Sequence, residues 1–342
     1  MSQQPILVEV TRGPITESIH RGCIAVVEPD GNVIARVGDT SFVTYMRSTA
    51  KPIQMLPLII NGGADRFGFT EAELAVMAAS HSGEPIHTEQ VASVLNRIGL
   101  DKSYLHCGVH VPFDKTVQAE LAGRTPDVLQ NNCSGKHSGM LAQCMAGGFD
   151  PVNYESPDHP IQRQIKNTLA TLAGIHENEI KIGIDGCSAP VFGMPVVAMA
   201  RAYARLVNPA GLDSTLSAAC KRVVTAMLDH PELIAGTNNR VDTDIMKIGD
   251  HTVIAKVGAE GVYTMGVLPS EKYPNGLGIA IKIEDGNDRA TAPSAIETLD
   301  QLGLLNESQR GRLSSWRPKE IKNHRGIVIG ELKPAFRLNL PT

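Results

Sequence analysis

Strand-like segments occupy both ends of this chain and helical ones fill the middle, an order that restricts the fold more than any single motif does. Near the amino terminus, Ile6 to Val10, Gly22 to Val27 and Val33 to Val37 are short apolar or β-branched runs, with Pro29-Asp30-Gly31 as a turn between the second and third. Near the other end, Thr252 to Val257 and Val262 to Leu268 flank Gly258-Ala259-Glu260-Gly261 as a hairpin. Gly278 to Ile283 alternates as a further strand, and Ile327 to Leu332 closes the set. Strands at both ends with helices between them imply one antiparallel sheet assembled from the two termini, with a helical layer inserted.

The helical signals are local. Thr70-Glu71-Ala72-Glu73 is a capping box opening an apolar run through Met77, and Gly83-Glu84-Pro85 starts a helix that ends near Gly99. Ser138 to Met145, His159 to Ala173, Val196 to Leu206 and Leu212 to Leu228 fit further helices, and Ala290 to Leu302 adds one late in the chain. The expectation is an α+β fold in a single catalytic domain over residues 1–342, without repeats, low-complexity tracts or linkers. Two lobes are expected within it, a sheet lobe of about residues 1–45 plus 235–342 and a helical lobe of about 46–234.

Composition excludes some function classes. A formal charge of −4 provides no basic stripe for a phosphate backbone, and an aromatic share of 4% gives little base stacking, so no nucleic-acid partner is expected. No apolar segment reaches the roughly 18 residues of a membrane span. The amino terminus lacks the basic flank and apolar run of a secretion signal, which leads to the expectation of a cytoplasmic protein. Six cysteines are too sparse for a disulfide scaffold in a chain of this length.

The chemistry-bearing segments are polar and glycine-rich, and each lies where a regular element begins or ends. In Arg47-Ser48-Thr49-Ala50-Lys51-Pro52 a serine stands three positions before a lysine, which places both on one face at the start of a helix. A serine needs a base to become nucleophilic at neutral pH, and a lysine serves only when burial or neighbouring positive charge lowers its pKa. Together with Lys256-Val257-Gly258 at the end of a strand, this matches the S-x-x-K and K-T-G arrangement of penicillin-interacting serine enzymes. The other reading of Lys256 is an edge-strand lysine that protects the sheet.

Cys133 and Cys187 each lie in a Gly/Ser/Asn-rich turn. Two thiolates and one more ligand suit a tetrahedral zinc with an open position. From the residues alone the third ligand reads as His137 rather than Lys136, because an amine must first lose its proton. Two unrelated buried thiols remain the simpler reading of the spacing. Cys107-Gly108-Val109-His110 has no second cluster nearby and reads as structural. His81, His137 and Asp185 lie in polar turns suited to orienting a substrate ammonium or carboxylate.

As a set, Arg47 to Pro52, Ser80-His-Ser-Gly-Glu-Pro85, Asn132-Cys-Ser-Gly-Lys-His-Ser-Gly139, Asp185-Gly-Cys-Ser-Ala-Pro190 and Gly258-Ala-Glu-Gly261 resemble the signature blocks of the asparaginase II family, the Rhizobium etli type or class 3 L-asparaginases. The resemblance runs from about residue 5 to 335. It implies a serine β-lactamase/glutaminase-like fold and hydrolysis of L-asparagine to L-aspartate and ammonia through two Ser–Lys pairs, Ser48 with Lys51 and Ser80 with Lys256. Ser48 is then the nucleophile and Lys51 its base, with Ser80 acting in attack or water activation as the alternative. Lys282, on a neighbouring strand, competes with Lys256 for the second lysine. The resemblance also implies a zinc ion on Cys133, Lys136 and Cys187, with Arg47, Asp185 and His137 as partners of the substrate, and a homodimer.

Two other classes of function fit the same residues. One is a penicillin-recognising serine acyltransferase, and the other a zinc- or redox-responsive binding protein without turnover. A lysine-based relay works through neutral amines, so activity is expected to rise toward alkaline pH.

Overall fold

The strands meet as their order requires. The structure, a computed structural model, describes residues 3–340. Its strands are β1 (Ile6–Arg12), β2 (Ile15–Val27), β3 (Val33–Val37), β4 (Val43–Tyr45), β5 (Lys181–Ile184), β6 (Pro190–Pro195), β7 (Val253–Gly258), β8 (Val262–Val267), β9 (Leu277–Ile283), β10 (Lys319–Lys322) and β11 (Val328–Pro334). Eight of them form one sheet in the order β10-β11-β1-β2-β9-β8-β7, with β3 also paired to β2. Every pairing in it is antiparallel. The chain's two ends join where β2 runs against β9, from Gly22 opposite Ile283 to Val27 opposite Gly278, and where β1 runs against β11. This is the expected α+β arrangement.

β8 and β9 are buried at every position. Helices cover them, the helix Val196–Val207 packing on β2, β8 and β9 and the helix Thr291–Gln301 on β1, β8, β9 and β11. Each large aliphatic side chain enclosed this way contributes about 1.5–3 kcal/mol relative to an exposed one. The capping box forms as read: Thr70 Oγ1 accepts from Glu73 N at 3.3 Å, and Glu73 Oε2 accepts from Thr70 N at 2.8 Å. Such a cap stabilises its helix, here Glu71–Met77, by about 1 kcal/mol.

The structure corrects the sequence reading in three places. A second sheet, β4-β6-β5, was not expected. β5 is only the four residues Lys-Ile-Gly-Ile and largely exposed, so its two alternating isoleucines are too short a signal to give it away. β10, the charged run Lys-Glu-Ile-Lys, hides in the same way at the sheet edge. The helix expected from Ser138 begins instead at Ser134 and runs to Gly147, with its first turn fully buried. That shift places Lys136 and His137 on a helix rather than in a turn. Among the described residues no helix is long and apolar enough to cross a membrane.

Candidate active site

The site forms where the end of β7 presses on the turn that carries Ser48. Arg47–Ala50 is one turn of 3-10 helix and Lys51–Gln54 a short α-helix after it, so the expected single helix is tighter at its start. Arg47 opens the turn at φ +53°, a left-handed conformation unusual for a side-chain-bearing residue and typical of functional turns. A Cβ added at Gly258 would fall 2.9 Å from Met46 O and 3.0 Å from Thr49 Cγ2. Only glycine lets strand and turn approach this closely, which is the structural reason for Lys-x-Gly here.

Lys51, Ser80 and Lys256 are all buried, and Ser48 is half-buried at the site's edge. Lys51 Nζ donates to Ser80 Oγ at 2.9 Å and to Asn132 O at 3.1 Å. Lys256 Nζ donates to Val257 O at 3.0 Å. Thus the first lysine bonds the second serine, and no hydrogen bond joins Ser48 to Lys51 or Ser80 to Lys256. Burial pushes the Lys51 amine below its ordinary value, opposed by the thiol charge of Cys133 and aided by Lys136. Burial likewise lowers Lys256 to about 7, with the charge of Asp242 opposing and those of Lys51 and Arg240 adding. Both amines therefore have the environment a lysine base requires. Lys282, the competing candidate, instead donates to Glu260 O.

At the rim, Arg47 Nη2 donates to Asp185 Oδ1 at 2.8 Å, and Glu260 Oε1 lies 3.8 Å from Arg47 Nη1. Asp185 sits in the loop joining β5 to β6, so the unexpected small sheet is what delivers it. His81 is unavailable to a substrate: Nδ1 accepts from Gly83 N, Nε2 bonds Ser134 Oγ, and burial keeps the ring neutral. Sequence reasoning missed Arg240, which donates to Ser80 O at 2.9 Å and to Ser82 Oγ at 2.8 Å. It fixes the backbone of the Ser80 segment. No local motif announces it, since the segment it serves is 160 residues away.

Cys133, Lys136 and Cys187 do converge, each buried. Lys136 Nζ donates to Cys187 Sγ at 2.9 Å. The neighbouring Cys133 thiol, the charge of Lys136 and the nearby His137 ring favour the thiolate form of Cys187, against burial. Lys136 in turn stays protonated: burial would lower it, but the charges of Cys187 and Cys133 outweigh that. His137 stands behind this array. Its Nδ1 pairs with Tyr154 Oη at 2.5 Å, and that hydroxyl also accepts from His106 N at 3.0 Å. Nε2 lies near Cys187 without a hydrogen bond of ordinary geometry. Two sulfurs and a nitrogen within reach of one another are a donor set that fits zinc, with the metal's charge replacing the proton on Lys136. His137, expected as a substrate partner, stands beside Cys187 in this cluster.

A surface cleft of about 1180 Å³ between Thr11–Gly13 and the β10–β11 edge contains none of these residues.

No curated protein matches the chain significantly. Among solved structures, a probable glutaminase from Bacillus subtilis complexed with 6-diazo-5-oxo-L-norleucine is 17% identical with a TM-score of 0.40, covering 83% of this chain and 84% of that one. A β-lactamase from Mycobacterium bovis is 13% identical with a TM-score of 0.41, covering 82% and 94%. Likenesses this distant carry no argument about the chemistry. The sequence model of the family described as L-asparaginase II matches residues 8–334, nearly the whole chain, and the protein therefore belongs to that family and is an amidohydrolase of its kind.

Proposed function

We propose that this amidohydrolase cleaves the side-chain amide of L-asparagine, giving L-aspartate and ammonia through an acyl-enzyme on serine. The observation that most supports the reading is the buried hydrogen bond of Lys51 Nζ to Ser80 Oγ, with a second lysine of lowered pKa, Lys256, enclosed nearby. In this mechanism Ser48 Oγ forms a bond to the amide carbon while its proton passes to the neutral Lys51 amine. The amide C–N bond then breaks and Lys51 returns the proton to the leaving nitrogen, releasing ammonia. Water attacks the resulting ester with the same amine as base, and the serine is regenerated. Ser80, bonded to Lys51, would take part in returning that proton, with Lys256 as the second enclosed amine of the site. Proton transfer by a positioned base is worth about 10²–10⁴ in rate.

Asp185 and Arg47 are the partners assigned to the substrate α-ammonium and α-carboxylate, which would exchange with the ion pair the two make with each other. Cys133, Lys136 and Cys187 would hold zinc, and a bound ion supplies a fixed positive charge beside the pocket.

A second allocation, with Ser80 as nucleophile, is favoured by one specific fact: Ser80 Oγ is the serine oxygen bonded to Lys51. The test is to measure ammonia and aspartate from L-asparagine, with L-glutamine alongside, and to acid-quench turnover and map the acylated peptide. One methylene distinguishes the two amides, a difference of about 1–3 kcal/mol in a fitted pocket. Acylation at Ser48 supports the first allocation and acylation at Ser80 the second. Absence of both product and adduct overturns the reading.

A further inference from the structure

The segment Gly258-Ala259-Glu260-Gly261 has so far contributed only its first glycine, which admits the close contact with the Ser48 turn. Glu260 sits at the tip of the β7–β8 hairpin, whose last pair is Gly258 opposite Val262. Its backbone stands at φ +62°, in the left-handed region. A hairpin tip of this kind is ordinarily built from glycine, asparagine or aspartate, so a glutamate there is strained.

The strained tip is nevertheless held on several sides. The buried Lys282 amine donates to Glu260 O. Asp288 Oδ1 accepts from Gly261 N at 3.2 Å, and Gly261 O accepts from Ile283 N at 2.8 Å. A Cβ at Gly286 would fall 2.7 Å from Glu260 Oε2, so glycine at that position leaves the carboxylate its room. Lys282, which the mechanism above does not use, thus anchors the turn that carries this carboxylate. The Glu260 side chain itself is 68% exposed and within reach of a solute entering the site.

Glu260 points at the rim already described. Its Oε1 lies 3.8 Å from Arg47 Nη1, while Asp185 Oδ1 takes Arg47 Nη2 at 2.8 Å. One guanidinium therefore stands between two carboxylates and bonds only one of them. Among the described residues the Glu260 carboxylate accepts no hydrogen bond, which leaves it open to a cation. An α-amino acid supplies the matching pair of charges: its α-carboxylate competes for Arg47, and its α-ammonium meets the carboxylates on either side.

We propose that Glu260 is a specificity-determining residue of this site, receiving the α-ammonium of the substrate together with Asp185 while Arg47 takes the α-carboxylate. The inference rests on the asparaginase reading above for what is done to the substrate, and on the rim itself for how the substrate is recognised. A fixed carboxylate at this point lets the site tell an α-amino acid amide from the same amide without its amino group, which gives the strained turn a function.

The test compares L-asparagine with succinamate, which has the same carboxylate and side-chain amide but no α-amino group, in wild type and Glu260→Gln. Alongside the kinetics, binding of L-aspartate and of succinate is measured by calorimetry, which needs no turnover. In Glu260→Gln the preference for L-asparagine over succinamate in kcat/KM is expected to fall about tenfold, mainly through KM, and the preference for L-aspartate over succinate to fall likewise. An unmoved preference overturns the proposal, even when both substrates suffer, because equal losses are the mark of a disturbed turn. Glu260→Gly separates turn from carboxylate: glycine suits the left-handed tip, so this variant is expected to unfold no earlier than wild type and still to lose the preference. Retention of the preference in Glu260→Gly overturns the proposal. A wild type that releases no ammonia from L-asparagine, yet prefers L-aspartate to succinate through Glu260, supports the proposal and refutes the asparaginase reading.

Discussion

Lys51 Nζ and Ser80 Oγ, 29 positions apart in sequence, lie 2.9 Å apart in the buried centre of the molecule. The lysine that follows Ser48 by one helical step thus reaches the serine of a different segment. This contact joins a residue of each Ser–Lys motif, while Ser48 at the edge and Lys256 in the interior make no hydrogen bond to that pair.

Replacing Lys51 removes both the proposed base of Ser48 and the hydrogen-bond partner of Ser80. Lys51→Met is expected to lower kcat by about 10²–10⁴ with little change in KM. Lys51→Arg does not restore activity, because a guanidinium stays protonated. Steady-state ammonia release decides the matter, and near-normal kcat in Lys51→Arg would contradict a base role.

The pH dependence follows from Lys256. Burial takes its amine from 10.5 down to about 7, so it is charged on the acid side of neutrality and neutral on the alkaline side. Activity is expected to rise through about pH 7 and then level off, and a flat profile between about pH 6 and 9 would contradict the relay. Stability moves with the same sign. Between pH 7 and 10.5 the unfolded chain keeps a proton the folded one has shed, so stability increases with pH across that window. Below about pH 7 the burial penalty is present in full. Denaturant unfolding of wild type against Lys256→Met at pH 6.5 and 9 is expected to show a difference that shrinks as pH rises (both values about half a unit or more from the midpoint).

Zinc content tests the sulfur cluster. Wild type is expected to retain about one zinc per chain, and Cys133→Ser or Cys187→Ser to lose it. Elemental analysis of dialysed protein checks this. Equal zinc in wild type and both variants would show that the metal, if any, is held elsewhere.

Gly135→Ala pits two effects against each other. Alanine favours a helix over glycine by about 1 kcal/mol. A Cβ at Gly135, however, would lie 2.0 Å from Val76 O, a backbone atom that cannot swing aside. The clash wins, and the variant is expected to lose about 1–3 kcal/mol, read as a lower denaturation midpoint. An unchanged midpoint would mean that the helix carrying Lys136 is not pressed on the Val76 segment.

Much of this arrangement is legible in the sequence, and the exceptions have physical causes. The hairpin of β7 and β8 is readable because its turn residues and β-branched runs are local signals, and the register from Val253 opposite Val267 to Gly258 opposite Val262 follows. The small sheet of β4, β5 and β6 is not, because β4 and β5 have only three and four residues, too few for a periodic signal, and so the delivery of Asp185 to Arg47 is not readable either. The cysteine cluster joins residues whose spacing means nothing until the helix Ser134–Gly147 and the β5–β6 loop are placed; the family resemblance, rather than the spacing, pointed to it. Arg240 leaves no signature, since what distinguishes it is the identity of distant neighbours. The crossing of Lys51 to Ser80 likewise depends on how the segment after Met77 lies against the Lys51 helix.

The most direct measurement is ammonia release from L-asparagine by purified wild type, Ser48→Ala and Ser80→Ala under identical conditions at alkaline pH. The account predicts turnover by wild type that is lost in Ser48→Ala and strongly reduced in Ser80→Ala. Undiminished turnover in Ser48→Ala, or none by the zinc-loaded wild type, would contradict it.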